Sequence, residues 1–226
     1  AMVDQAMDQW GRIDILINNA GVLRDKSFAK MDMDDFRLIL DVHLTGAAIC
    51  CKAVWEIMRA QNHGRIVMTT SSSGLYGNFG QANYGAAKMG LVGLMQTLAI
   101  EGAKYGICVN ALAPTAATRM TQGILPEEAL KALDPAFVSP VLLPLVADGA
   151  PTRAIVCAGA VHVARAHVTL TEGVHIGGED AGERLIAAWD QVGDPAGQII
   201  PEYGFAQAER EAVSAAAHRA ASGAVS

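Results

Sequence analysis

The sequence predicts an α/β fold, a parallel sheet with helices on both faces. Two observations carry this. The apolar strand segments are continuous rather than alternating, and long helical segments separate them. A strand buried on both faces has no solvent side to alternate towards. The chain has 226 residues, of which 51% are hydrophobic, enough for one domain with a substantial core.

The elements follow in order. Residues 1–10 read as the tail of a helix, with Met2, Val3, Ala6 and Met7 towards a core and Gly11 stopping it after Trp10. No start signal precedes it. Ile13 to Ile17 is a short strand running into Asn18-Asn19-Ala20-Gly21. Residues 33–60 read as helix, with Met33, Phe36, Leu40, Leu44 and Ala48 at helical spacing. Arg65 to Thr70 is the next strand. Residues 82–104 form a second long helix, apolar nearly all round from Ala86 to Ile100 and so expected to be buried on two sides. Gly85, Gly90 and Gly93 within it each cost about 1 kcal/mol relative to Ala, so a close neighbour is expected at each. Cys108 to Leu112 is a third strand, closed by Ala113-Pro114. Residues 126–147 mix helix and loop around Pro126, Pro135, Pro140 and Pro144. Arg153 to Ala158 is a fourth strand, and His167 to Thr171 alternates like a short edge strand. From Glu183 the chain is charged, Ala-rich and helical in part, with no defined element beyond Ala212. The expected division is a domain over 1–180 and an extension over 181–226.

The net charge is −6 and no Lys/Arg block occurs. Nucleic acid and anionic membrane surfaces are therefore not expected as partners. No run of about 20 apolar residues free of charge or turn signals is read, so no membrane span is expected. Cys50, Cys51, Cys108 and Cys157 lie in apolar runs without metal-ligand spacing. They read as buried thiols of a reducing compartment, with no metal site. Asp4 and Asp8 break any signal-peptide core, and a cytoplasmic location is expected.

The chemistry concentrates between Ser71-Ser72-Ser73-Gly74 and Tyr84-Gly85-Ala86-Ala87-Lys88. On a helix, positions i and i+4 share a face, so the Tyr84 phenol and the Lys88 ammonium can share a site. A tyrosine pKa near ~10 suits proton exchange poorly at neutral pH, and a nearby positive charge favours the phenolate. A serine hydroxyl beside them can hold a carbonyl or alcohol oxygen. Lys88 lies in an otherwise apolar segment, where an unpaired ammonium is costly.

Asn18 to Gly21 after a strand, Ser71, Tyr84-x-x-x-Lys88, and Val109-Asn110 to Pro114 stand in one register. This pattern resembles the short-chain dehydrogenase/reductase family over about residues 1–120. The strings Gly77 to Tyr84 and Ala116 to Thr121 resemble the (3R)-hydroxyacyl-CoA dehydrogenase domains of multifunctional enzymes, with 3-oxoacyl carrier-protein reductases the next group.

The resemblance implies a Rossmann-like, doubly wound sheet and an oxidoreductase using NAD or NADP on a small-molecule alcohol or ketone, such as a 3-hydroxyacyl thioester. It implies Tyr84 as general acid/base, Lys88 lowering its pKa and holding the nicotinamide ribose, and Ser71 orienting the substrate oxygen. Ser72 and Ser73 would serve the loop backbone. Asn18, Ala20, Gly21, Pro114 and Thr118, with Tyr84 and Lys88, would border the cofactor. Gly21 would let the backbone approach it. Thr115 stands where the family usually has glycine. His43 replaces a usual asparagine and would hold a relay water, or be a satisfied core histidine. Helices 33–60 and 82–104 would pair with those of a second copy in a dimer or tetramer.

The family's opening strand, glycine-rich loop and helix are not in this sequence. The expectation is a truncation of roughly 80 residues, counted at about 30 residues per strand-helix-strand unit, and weak dinucleotide binding by this chain alone. The alternative expectation is a non-catalytic assembly subunit.

Overall fold

The computed structural model describes residues 2–118 and 127–223. They form two compact units, Ala1–Ala166 and His167–Ser226.

The first unit is built on a five-stranded sheet in the order β1 (Ile15–Asn18), β2 (Gly64–Thr69), β3 (Ile107–Pro114), β4 (Ile155–Gly159) and β5 (His162–Ala166). The first three pairings are parallel, and β4 with β5 is an antiparallel hairpin. All-parallel pairing was expected. The departure arises because Ala160 and Val161 turn the chain straight back, both at positive φ, and a turn this short can only join antiparallel neighbours. The expected edge strand over His167–Thr171 is displaced: β5 lies just before it. Leu170 makes only an isolated bridge to Ile199, inside the second unit. The division between units consequently falls after Ala166 rather than after residue 180.

Helix α1 (Met2–Trp10) holds Val3, Ala6 and Met7 half-buried, whereas Met2 points outward with Trp10. The expected helix over 33–60 is three pieces. They are α2 (Met33–Leu40), a π-helical turn (Asp41–Thr45) and α3 (Gly46–Gln61). Asp32 caps α2 by accepting from the Asp34 N–H at 2.8 Å, which satisfies one of the free donors of the first turn. Asn62 ends α3 in the left-handed conformation, φ 49°. A π-turn widens a helix by one residue and re-aims a side chain; here it carries the buried His43. By length and apolar content alone, Met33–Gln61 matches a membrane-crossing helix, which the sequence reading did not anticipate. Its inner stripe, Ile39, Cys51, Val54, Trp55 and Met58, is core.

Helix α4 (Ser72–Tyr76) leads to α5 (Ala82–Gly102). The close neighbours expected at the α5 glycines are present at two. A Cβ on Gly90 would meet Leu44 at 2.8 Å, and one on Gly85 would meet the Ser73 carbonyl at 3.1 Å. Gly93 has open space instead. The core joins the α3 stripe to Ile66, Met68, Val109 and Leu91 through Met95, and a second cluster gathers Val67, Leu112, Val156 and Leu145. Burying each such side chain is worth roughly 1.5–3 kcal/mol.

Arg65, at the start of β2, is buried without a carboxylate partner. Its guanidinium donates to the carbonyls of Gly64, Gly106, Ala147 and Asp148 at 2.8–3.0 Å. It ties β2 to the turn just before β3 and to the segment between β3 and β4. That segment contains α6 (Glu127–Ala132) and α7 (Leu143–Val146).

In the second unit, α8 (Ala181–Ala187), α9 (Trp189–Val192) and α10 (Ala206–Gly223) follow in turn. α10 runs well past Ala212, where no element was expected, because Ala and Glu sustain helix without a packed face.

Candidate active site

The carboxyl ends of β1, β2 and β3 open onto a cavity of about 380 Å³. Ligands of open α/β sheets bind at this end, where chain ends and helix starts converge. Ser71, Tyr84, Lys88, His43, Gly21, Pro114 and Thr118 all line it. Asn18 and Ala20 do not; they line a neighbouring cavity of about 260 Å³ on the other side of His43.

Each side chain is placed by local structure. Ser71 ends the β2 strand in extended conformation and caps α4 by accepting from the Ser73 N–H at 3.2 Å. It lines the cavity with Tyr84 and eases ionisation of the phenol. Ser72 and Ser73, in the α4 turn, line the same cavity.

Tyr84 and Lys88 share one face of α5, as their spacing predicts. The Lys88 ammonium lies 5.4 Å from the Tyr84 ring centre and donates to the Thr69 carbonyl at 2.6 Å. Thr70 donates to the Lys88 carbonyl at 2.6 Å, pinning α5 to the end of β2. A Cβ on Gly74 would meet the Lys88 Cβ at 2.7 Å, so α4 rests directly on this turn of α5.

The electrostatics depart from expectation. Burial pulls Lys88 down to about 8, since no carboxylate answers its charge. Tyr84 is pushed above its ordinary value, first by burial and then by the negative charge of Asp25, with Ser71 opposing. The expectation that Lys88 lowers the tyrosine pKa does not hold in this arrangement. The ammonium is turned to the Thr69 carbonyl, and desolvation of the phenol outweighs it.

His43 packs edge-to-face on Tyr84 with ring centres 5.2 Å apart. Its Nε2 lies 2.8 Å from the Val22 carbonyl oxygen and 3.2 Å from the Val22 N–H. Nδ1 is buried without a hydrogen-bond partner among the described residues. Burial and the Lys88 charge both lower its pKa, the Val22 contact opposing, which favours the neutral ring at pH 7.

Gly21 lines the cavity and also makes room for the imidazole, since a Cβ there would run into the His43 ring. The asparagines stitch β1 to its neighbours: Asn19 accepts from the Thr69 hydroxyl at 3.2 Å, and Asn18 donates towards the Cys51 and Met68 sulfurs. Asn110, fully buried, donates to the Pro151 carbonyl at 2.7 Å and accepts from the Ala154 N–H at 2.9 Å. This fixes the turn into β4.

The residues fit the nicotinamide-ribose end of a dinucleotide. Lys88, His43 and the Pro114–Thr118 wall line one cavity, and the His43 Nδ1 is buried and unpaired among the described residues. Asn78 and Gln81, within the Gly77 to Tyr84 string, line the cavity but were given no site role, and Asp25, which bonds Gln81, was not foreseen because an isolated acid in a loop carries no motif. Of the Ala116 to Thr121 string, residues 119–121 lie outside the described residues.

A doubly wound sheet with serine, tyrosine and lysine gathered at its strand ends defines a class, the dinucleotide-dependent oxidoreductases of alcohols and ketones. The chain belongs to one family within it, the short-chain dehydrogenases: the family model described as "short chain dehydrogenase" matches residues 1–129. The chain is 44% identical over 200 residues to a putative short-chain type dehydrogenase/reductase of Mycobacterium tuberculosis, covering 88% of this chain and 70% of the relative. It is 56% identical over 142 residues to the peroxisomal hydratase-dehydrogenase-epimerase of Saccharomyces cerevisiae, covering 63% of this chain and 16% of that protein. Among solved structures, the full-length peroxisomal multifunctional enzyme type 2 from Drosophila melanogaster superposes with TM-score 0.78 at 36% identity, over 88% of this chain and 37% of that one. The parallel-dominated sheet with its flanking helices matches the Rossmann-like folds of such neighbours.

Proposed function

We propose that this oxidoreductase interconverts a 3-hydroxyacyl thioester and its 3-keto form, using NAD or NADP. The observation that carries the reading is that Ser71 and Tyr84 line one cavity, with Tyr84 one helical turn from a buried Lys88. The strings from Gly77 to Tyr84 and the likeness to a hydratase-dehydrogenase-epimerase favour the thioester.

A bound nicotinamide would supply or accept the hydride. This chain's residues handle the oxygen. Ser71 holds the substrate oxygen beside the Tyr84 hydroxyl. In reduction, Tyr84 gives its proton to that oxygen as it gains charge; in oxidation it takes the proton back. Lys88, with its pKa drawn to about 8, is poised to pass a proton at neutral to mildly alkaline pH. On cofactor binding its ammonium would turn from the Thr69 carbonyl towards the ribose hydroxyls and the phenol. His43 would hold the relay water on its free Nδ1.

A second copy is proposed to dock on the outer faces of α3 and α5. Ile49, Met89 and Ile100 are 64%, 40% and 48% exposed on these two helices, apolar surface that a second copy would cover. The four free thiols fit a cytoplasmic setting.

The test is a panel of 3-ketoacyl thioesters, steroids and sugars, assayed by nicotinamide absorbance with the protein made from its complete natural reading frame. Turnover of thioesters at least about tenfold faster in kcat/KM than the others supports the reading. A preference for steroids or sugars overturns the substrate class.

A further inference from the structure

The loop from Leu23 to Lys26 carries no family motif, yet it is fastened to the start of α5 at three points. The Lys26 N–H donates to the Gly80 carbonyl at 2.9 Å. The Asn83 amide donates to the Arg24 carbonyl at 3.0 Å. The Gln81 amide donates to the Asp25 carboxylate at 2.6 Å, a length typical of a charge-assisted bond.

Gln81 is buried and lines the cavity, but both ends of its amide are committed: its oxygen accepts from Asn78 at 3.1 Å. It is therefore a strut rather than a substrate ligand. It sits one helical turn before Tyr84, at the N-cap position of α5, and makes no capping bond because its side chain is turned to Asp25. Asn83 takes over at this end, its side-chain oxygen accepting from the Tyr84 N–H at 2.7 Å. Gln81 and Asn83, at the start of α5, are thus both bonded to this loop.

The loop is anchored in turn. Arg24 and Lys26 both reach Asp35 of α2, at 3.7 and 3.5 Å. Those cations are engaged by a different carboxylate, leaving the Asp25 charge to face the site. Around the Tyr84 phenol stand Ser71 from the β2 end, His43 from the π-turn, Lys88 from α5 and Asp25 from the loop. Asp25 is the only negative charge among them.

We propose that Asp25 is a positioning residue for Tyr84: through Gln81 it fixes the first turn of α5, from which the phenol projects. The role rests on the reading of Tyr84 as the proton-exchanging group. The charge of Asp25 also disfavours the phenolate, so the ionisation of the phenol reports on the Asp25 carboxylate.

The test does not require turnover. Protein labelled with 13Cζ-tyrosine is titrated by NMR from about pH 8 to about pH 11.5, with Tyr84→Phe assigning the resonance. Asp25→Asn keeps an oxygen acceptor for Gln81 and removes only the charge. The Tyr84 transition is expected to fall by about half a pH unit in Asp25→Asn, the scale of a partly exposed charge acting across a few ångströms. Asp25→Glu is expected to restore it, and Asp25→Ser repeats the loss of charge if the amide variant misfolds. In turnover, the pH profile of kcat moves the same way with KM changed less than about twofold. Identical Tyr84 transitions in wild type and the charge-loss variants overturn the proposal. A protein that turns over no substrate overturns the proposed function instead, while the NMR titration still decides the role of Asp25.

Discussion

Replacing Lys88 with methionine should reveal the cost of keeping an ammonium under α4. Lys88 is 3% exposed and its pKa falls from 10.5 to about 8 in the folded chain, by desolvation. Its folded pKa lies below its unfolded one, so between about pH 8 and pH 10.5 the unfolded chain binds the extra proton. Stability therefore rises with pH across that window, at about 1.4 kcal/mol per unit. The interval of about 2.5 units corresponds to about 3 kcal/mol in total. Below about pH 8 the lysine is charged in both states and contributes no slope. The assay is urea unfolding of wild type and Lys88→Met at intervals from pH 7 to about pH 10.5. All other titrations cancel in the difference between the two proteins. The methionine also leaves the Thr69 carbonyl without its donor, but that loss is constant with pH. Wild type should gain about 3 kcal/mol relative to the variant over this range. A difference that stays flat within about 0.5 kcal/mol would refute the reasoning, because it would mean the ammonium is solvated in the folded state.

Two further outcomes are expected. His43→Ala should lower turnover at least about tenfold, somewhat below the loss for a direct proton-transfer group; unchanged turnover would remove His43 from the relay. Arg65→Ala leaves four carbonyls without their donor in a buried corner, so thermal unfolding should show a loss of at least about 3 kcal/mol, whereas a loss below about 1 kcal/mol would mean water replaces the guanidinium.

Most of the first unit was legible because its signals are local. Continuous apolar runs gave β2, β3 and β4 within a residue or two, and the i, i+4 spacing put Tyr84 and Lys88 on one face. What was hidden depends on contacts distant in sequence. The π-turn at Asp41–Thr45 has no pattern of its own, yet it swings His43 against Gly21, so the space the glycine leaves for the imidazole was not foreseen. The Asp25–Gln81 bond joins residues far apart in the chain and leaves no trace in spacing. The fate of the Lys88 charge was misjudged for the same reason: the Thr69 carbonyl that holds it comes from another element. The β4–β5 hairpin was missed because Ala160 and Val161 are poor turn formers, and here the sheet pairing imposes their positive φ.

The account's central claim is that Tyr84 exchanges the proton with a substrate oxygen held by Ser71. Tyr84→Phe keeps the ring that packs on His43 and removes only the hydroxyl. Measured by nicotinamide absorbance on a 3-ketoacyl thioester, with the protein made from its complete reading frame, kcat should fall about 10²–10⁴-fold while KM changes little. A variant that keeps kcat within about threefold of wild type would contradict the claim.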